Sequence, residues 1–330
     1  MHPSYATSYR ETEFHPTPGA STAVAKPRIL VLLATCNGAA WIREQLESIL
    51  AQQDVDVRVA VRDDCSSDAT NLELARFAHH DKVRIAAMPS DRSGLPARNF
   101  LSLIRDNPAG ELDFVALSDQ DDLWNRDKLG RACRMLNVSA AAGYSSATTA
   151  AWEDGRQRVT RLSGPPTAID FLFEGAGQGC TFVLTRELYE RVRTFLTGHR
   201  ELTNEVHYHD WMIYALARSW NLRWCFDAQP SMRYRQHAAN HTGARGTVRG
   251  AIRRLAMIRQ GWYRTQLLAI AGICRAAAPV NDSVLGWHRE LVAPQSWRRR
   301  LRLARFCLHG ARRRRRDRMV AVLAALCGWI

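Results

Sequence analysis

Lysine is almost absent: Lys26, Lys82 and Lys128 are the only three among 46 basic residues in a chain of 330. Paired cysteines are absent too. The eight cysteines, at 36, 65, 133, 180, 225, 274, 307 and 327, lie far apart and form no CxxC pair. Disulfide scaffolds are small and cysteine-dense, and structural zinc sites need close pairs, so the chain fits neither class. The cysteines read as small buried hydrophobes of a reduced cytosolic protein. No apolar run reaches the roughly 18 residues that span a bilayer; the longest near the end, residues 319–330, is 12 residues and follows an arginine block. Residues 1–26 lack the basic start, apolar run and small-residue cleavage site of a signal peptide. Their Ser, Thr, Pro and His content reads as a flexible leader.

What is present is a folded globular composition, 46% hydrophobic and 24% charged, with a formal net charge of +14. A disordered, collagen-like or multi-span chain is excluded. The charge is uneven: residues 246–330 hold 18 arginines, no lysine and three acidic residues, whereas residues 1–245 are close to neutral. A balanced body carries a basic end region.

Organisation begins at residue 28. Residues 29–34 are continuously apolar, as in a buried parallel strand. They run into Thr35-Cys36-Asn37-Gly38, after which Trp41, Leu46, Ile49 and Leu50 recur at helical spacing. A second strand, 57–61, leads to Asp63-Asp64-Cys65-Ser66-Ser67-Asp68, with Asp68 placed to cap a helix over 69–78. A third strand covers 83–87, before a helix near 95–105. A fourth, 112–117, ends in Ser118-Asp119-Gln120-Asp121-Asp122. Strand and helix alternating every 25–30 residues or so predict an open, mostly parallel α/β sheet. Such sheets bind ligands at the carboxyl ends of their strands, and three strand ends here carry polar runs. Further on come a Gly-rich stretch at 174–180, a strand over 181–184, a helix from Arg186, His209-Asp210-Trp211 opening another helix, a strand near 222–226, and Tyr234-Arg235-Gln236-His237.

Three carboxylates within four residues repel one another unless cations or donors offset them, and hard cations prefer such oxygen ligands together with substrate phosphates. Asp63 and Asp64 can accept from a base imide or a ribose hydroxyl, and Asp210 stands at a helix start. Taken singly, each run reads equally as an acidic turn, an Asx turn or a helix cap. Their joint order and spacing is the specific signal.

Together, 34–38, 62–70, 118–124, 209–211 and 234–240 resemble the family 2 glycosyltransferases of GT-A fold, closest to rhamnosyltransferase-like members that build bacterial surface polysaccharides such as O-antigen. Cys36 and Cys65 depart from the usual Tyr and Gly. The resemblance covers residues 28–245. It implies a GT-A domain over 27–245 after a leader at 1–26, with an Arg-rich helical region over 246–330. It also implies an inverting, metal-dependent transfer from a nucleotide-sugar, dTDP- or UDP-linked, to a saccharide or lipid-linked acceptor, with L-rhamnose the favoured sugar. Position by position, Thr35, Asn37, Asp63 and Asp64 would line the base and ribose pocket. Asp119 would face the ribose or sugar, and Arg235 the diphosphate. Asp121, Asp122 and His237 would hold Mg²⁺ or Mn²⁺, Asp210 would be the catalytic base, and Gly177, Gln178, Gly179 and Trp211 would border the acceptor.

The nearest enzyme alternative, a nucleotidyltransferase of sugar phosphates, needs a Gly-rich loop with a basic residue just after the first strand, and no basic residue stands there before Arg43. The arginine clusters 298–300 and 312–316 suit phosphates generally, including nucleic acid, but no nucleic-acid-binding motif accompanies them. Residues 312–316 followed by 319–326 read better as a charged collar with an apolar helix behind it, placed on an anionic membrane surface. The expectation is a cytoplasmic enzyme, peripheral on the inner membrane face.

Overall fold

The computed structural model of the chain describes residues 25–161, 164–237, 256–279 and 281–330. Nearly all of the expected leader, the motif residues 238–240 and the start of the basic region lie outside the described residues.

Residues 29–34 form the centre of β1 (Arg28–Thr35), buried along all but its first position. The run is continuously apolar because both faces of the strand are covered. Ile29, Val31 and Leu33 point into one core, with residues of α1 (Ile42–Leu50) and α4 (Lys128–Ser139). Leu30, Leu32 and Ala34 point into the other, with residues of α3 (Pro96–Asp106), α5 (Arg186–Gly198) and α7 (His209–Ser219). β1 pairs in parallel with β2 (Asp56–Asp63) and β4 (Phe114–Ser118), and β2 with β3 (Val83–Ile85). The carboxyl ends of β1, β2 and β4 therefore meet at one edge, and there Thr35, Asp63 and Ser118 hand over to the polar loops.

Beyond β4 the pairing is mixed. β8 (Val183–Thr185) runs antiparallel to β4, and β6 (Gly143–Trp152) is antiparallel to β8 but parallel to β9 (Trp224–Gln236). The two-residue β5 (Leu123–Trp124) lies on β9, and β7 (Gln157–Thr160) forms a hairpin with β6. The short strand expected near 222–226 is thus the first part of a 13-residue one. The expected helix over 69–78 is shorter, α2 (Thr70–Ala75), with Asp68 Oδ1 accepting from the Thr70 amide at 3.0 Å.

β6 has no counterpart in the sequence-based reading. Its buried positions include Ser145, Ser146 and Thr148, so it shows neither an apolar run nor alternation. The hydroxyls are satisfied internally: Ser145 Oγ donates to Ala176 O (2.9 Å) and accepts from Trp224 Nε1 (3.0 Å), while the Ser146 and Ser231 hydroxyls meet at 2.6 Å. At Gly143 a β-carbon would lie 2.4 Å from the Trp224 ring, so the strand starts on the one residue that lets the indole close over it.

After the short α6 (Arg200–Thr203), the C-terminal helices α8 (Trp262–Ala277), α9 (Asp282–Val292), α10 (Trp297–Leu308) and α11 (Arg315–Leu326) add Leu267, Ile270, Trp287, Leu303 and Ala325 to the core on the α7 side. Part of the arginine excess is spent inside. Arg299, fully buried, donates to the carbonyls of Glu290 and Leu291, capping the end of α9, and to Ile330 O, which it ties to that end. Arg313, its side chain 2% exposed, pairs with Asp170 at 2.8 Å, and Asp170 also accepts from Tyr214 Oη (2.8 Å) and Arg218 (3.0 Å). Asp170 therefore ties α7 to the segment before α11. Replacing Asp170 with alanine removes the buried carboxylate that two guanidinium groups share, leaving Arg313 with Glu174 and Arg218 with Thr167 O, and should cost about 3 kcal/mol. A urea titration should show that loss in one cooperative transition; two separate transitions would mean that the C-terminal helices fold on their own.

Candidate active site

The three strand ends are laced together by side chains. Gln120 bridges β4 to β1: its Oε1 accepts from Thr35 Oγ1 (2.6 Å) and the Cys36 amide (2.7 Å), and its Nε2 donates to Cys36 O (3.0 Å). Asn37, in the left-handed region at φ 53°, donates its amide to Ser66 Oγ (2.7 Å) and accepts at Oδ1 from the Ser67 amide (2.8 Å). Asp63 is buried beneath the same turn and accepts from the Ser66 amide at 3.1 Å. Cys65 adopts φ 56°, a conformation glycine takes without cost and an L-residue at about 1–2 kcal/mol. The departure from glycine at this position is real strain in the pocket wall.

Asp64 is also buried, and its carboxylate takes three donors from the loop before α3: the Ser93 amide (2.7 Å), Ser93 Oγ (2.8 Å) and the Gly94 amide (3.2 Å). Thr35, Asn37, Asp63 and Asp64 thus stand around one mouth at the strand ends. The two aspartates act at least as braces of its walls.

The acidic run divides into two groups. Asp121 pairs with His237, Nε2 to Oδ2 at 2.9 Å, and the His237 ring stacks on Trp41 at 3.9 Å. Asp119 and Asp122 instead face Cys180, with one ligand atom from each within 4.8 Å of the others. Asp119 is half-buried, whereas Asp122 is 0% exposed and neither of its oxygens has a hydrogen-bond partner among the described residues. Burial, then the Asp121 charge, pushes the Asp119 carboxyl up to about 7 and holds Asp122 well above the usual carboxylate range. A cation fits this donor set: buried, crowded carboxylates with unused oxygens gain most from one. Asp119 is the more exposed member of this set, Asp122 is sealed off, and Asp121 lies near enough for its charge to act on both. The Cys180 thiol is a soft donor that suits Mg²⁺ or Mn²⁺ poorly.

Three residues went unassigned in the sequence. Lys128, fully buried, donates to Cys180 O (2.9 Å) and lies 4.0 Å over the Trp124 ring; burial pulls its ammonium down to about 8. It places one of the chain's three lysines beneath the acid cluster, a signal open to a reader who asks why an arginine-rich chain keeps a lysine there. Tyr234, buried near Asp119 and Asp122, has its phenol pushed upward by burial. Gln120 was visible only as a spacer between aspartates.

α7 begins at His209, and Asp210 sits in its first turn, accepting from the Trp211 amide at 2.7 Å. Asp210 is near enough to Asp119 for its charge to help raise the Asp119 carboxyl. Gly179 packs directly under this turn: a β-carbon there would lie 2.7 Å from His209 Nε2 and 3.2 Å from Asp210 Cβ. Gln178 accepts from Thr148 Oγ1 of β6 at 3.2 Å, and Gly177 takes φ 128°. Trp211 is placed differently from the acceptor-bordering role expected. It is 6% exposed, with its indole N–H donated to Phe171 O at 2.8 Å and its ring parallel to Tyr263, so it joins α7 to α8. Arg235 forms an ion pair with Glu44 of α1.

His209 stacks on Phe100 at 4.0 Å, and its sealed Nε2 has no partner among the described residues. Burial pulls its imidazole down to about 3, so it is neutral in the folded chain. Below about pH 6.5 the unfolded chain binds a proton there that the folded one does not. Stability is therefore full above that pH and falls by about 1.4 kcal/mol per unit as pH drops toward 3. A His209→Gln variant should show a shallower acid limb in urea titrations between pH 6 and 4; an unchanged slope would mean that this ring already carries its proton when folded.

The model of glycosyl transferase family 2 matches residues 30–211. The dTDP-rhamnosyl transferase RfbG of Shigella flexneri is 35% identical over 253 residues, 76% of this chain and 88% of that protein. The succinoglycan biosynthesis protein ExoO of Rhizobium meliloti is 35% identical over 117 residues, 36% of this chain and 31% of that one. Among solved structures, S. aureus TarS residues 1–349 in complex with UDP-GlcNAc superposes with a TM-score of 0.56 at 14% identity, covering 92% of this chain and 89% of that one. The mannosyltransferase PcManGT from Pyrobaculum calidifontis, in complex with GDP-Man and Mn²⁺, gives 0.52 at 18% identity, covering 92% and 87%. At these identities the two structures speak for the fold alone, a GT-A type α/β sheet flanked by helices.

Proposed function

The chain belongs to glycosyltransferase family 2, and on that premise we propose that it inverts the anomeric centre of a sugar as it moves it from a nucleoside diphosphate to an acceptor hydroxyl. The observation that carries this reading is that Gly179-Cys180 touches both sides: Gly179 packs on Asp210 at the start of α7, and Cys180 adjoins Asp119, so the two carboxylates share one neighbourhood. A single displacement needs those two poles, one for the leaving diphosphate and one for the incoming hydroxyl. Likeness to a dTDP-rhamnosyl transferase over most of both chains favours dTDP-L-rhamnose as donor and a growing surface polysaccharide as acceptor. A lipid-linked acceptor would bring the enzyme to the inner membrane face as a peripheral protein. Among the described residues, no helix is long and apolar enough to cross a membrane.

In this reading Asp119 and Asp121 would hold Mg²⁺ or Mn²⁺, and the chemistry such an ion would supply is to offset charge on the departing diphosphate. His237 orients Asp121 through its 2.9 Å contact, and Trp41 fixes the imidazole plane. Thr35, Asn37 and the Asp63–Asp64 turn receive base and ribose in a mouth held open by Gln120 and Ser93. Asp210 takes the proton of the acceptor hydroxyl, a weak nucleophile until that proton has a destination. Gly177 and Gln178, half-buried beside it, would border the acceptor ring, while Gly179 seats the α7 turn.

Calorimetric titration with UDP and dTDP, each with and without Mn²⁺, tests the donor half. Metal-dependent binding, tighter for dTDP, is the expected result. A folded protein that binds no nucleoside diphosphate overturns the reading.

A further inference from the structure

A stripe of exposed apolar side chains runs along each of the last two helices. On α11, Ala321, Val322, Ala324 and Ala325 fill the core-facing side, so the opposite side should be polar if it met only water. It carries Met319 (49% exposed), Val320, Leu323 (56%) and Leu326 instead. On α10, Trp297 (67%), Leu301 and Leu308 are exposed at spacings of four and seven, within one face of a helix. The two helices pack on each other with the end of α11 at the start of α10: Gly328 lies against the Arg300 guanidinium, and Arg299 holds Ile330 O at 3.2 Å. Arginines border the apolar side chains. Arg298, Arg302 and Arg305 are exposed on α10, and Arg314, Arg315 and Arg316 lead into α11.

We propose that this face docks on an anionic lipid bilayer, with α10 and α11 lying flat, their apolar side chains among the acyl boundary and their arginines at the phosphates. The proposal deepens the peripheral enzyme suggested above and rests on it only for why a membrane would matter. Charge selects the occupant. A second copy of this chain would set arginine against arginine across a self-complementary interface, an unfavourable match for a protein of net charge +14. A polynucleotide would satisfy the arginines but leave Met319, Leu323 and Leu326 in water. Only a surface that is anionic outside and apolar beneath meets both halves of the face. At 12 residues, α11 is too short to span a bilayer but long enough to lie in its interface.

The face is mechanically joined to the catalytic helix. Arg312, just before α11, donates to Phe173 O (3.2 Å) and to Tyr263 Oη (3.3 Å), and the Tyr263 ring stacks on Trp211, the neighbour of Asp210. Docking would therefore hold the Asp210 side of the crevice at a fixed height over the headgroups, which suits an acceptor anchored in lipid.

The test is flotation of the full chain with vesicles of phosphatidylglycerol and phosphatidylcholine, against phosphatidylcholine alone. Binding should be at least about tenfold stronger to the anionic vesicles and should weaken with salt. The double variant Met319→Gln, Leu323→Gln keeps every charge and alters only exposed positions, so circular dichroism and UDP titration should be unchanged while vesicle binding falls on the order of tenfold or more. The proposal is overturned by absent vesicle binding in protein that still binds UDP, by binding indifferent to the double variant, or by a concentration-dependent dimer that the variant abolishes. Vesicle binding without UDP binding would leave the docking face standing and remove the transferase reading.

Discussion

Replacing Asp210 with asparagine should slow sugar transfer by about 10²- to 10⁴-fold, the usual contribution of a positioned general base. Asparagine keeps the size of the side chain and an oxygen to accept from the Trp211 amide, now 2.7 Å from Asp210 Oδ1, so the first turn of α7 is preserved. What it loses is the capacity to take a proton. The proposed nucleotide contacts are on the β1, β2 and β4 ends, so the affinity for dTDP or UDP should stay within about a factor of two while kcat collapses. The measurement is product formation by chromatography beside calorimetric nucleotide binding, on the same preparation. Equal loss of both would make Asp210 a structural anchor for the crevice. Full retention of transfer would place the base elsewhere. His209 is a poor substitute, because burial keeps its imidazole at about 3 and its Nε2 is sealed against Gly179.

The β1, β2 and β4 side of this crevice, where the donor is proposed to bind, is legible in the sequence for a simple reason. Strands β1 and β4 are buried on both faces and read as unbroken apolar runs, and β2 as a run interrupted by the exposed Arg58, so the abrupt change to Thr35-Cys36-Asn37, Asp63-Asp64 and Asp119 onward marks their carboxyl ends. The acceptor side is less legible. β6 hides its burial behind hydroxyls whose partners, Ala176 O, Trp224 and Ser231, are distant in sequence. Trp211 follows Asp210, yet consecutive helix residues turn by about 100°, so one can reach the crevice while the other enters the core. Composition flagged the arginines of the last 85 residues as a single basic feature. It could not separate Arg299 and Arg313, which close internal carbonyls and carboxylates, from Arg315 and Arg316, which face outward. That separation depends on where Asp170, Glu174 and the helix ends lie in space.

The same limit applies to the aspartates at 119, 121 and 122, which sequence treats as one run. Replacing Asp121 with alanine should remove metal-dependent nucleotide binding, weakening dTDP or UDP by about 100-fold or more in Mn²⁺ and changing it little in chelator. His237→Ala should cost less, about tenfold, because it orients Asp121 rather than supplying the charge. Asp122→Asn is the informative contrast. Asp122 is closed to solvent with both oxygens unpartnered among the described residues, so a neutral amide of equal size should leave nucleotide binding intact and cost little stability. If Asp122→Asn abolishes the metal dependence and Asp121→Ala does not, the ion sits in the inner group with Asp119 and Cys180. A thiol in that set would favour a softer metal, and Zn²⁺ would then compete effectively with Mn²⁺ in the titration. If Asp121 governs the response, the ion lies at the outer pair, where a diphosphate can share it, and Asp122 with Lys128 forms the buried floor on which that pair is set.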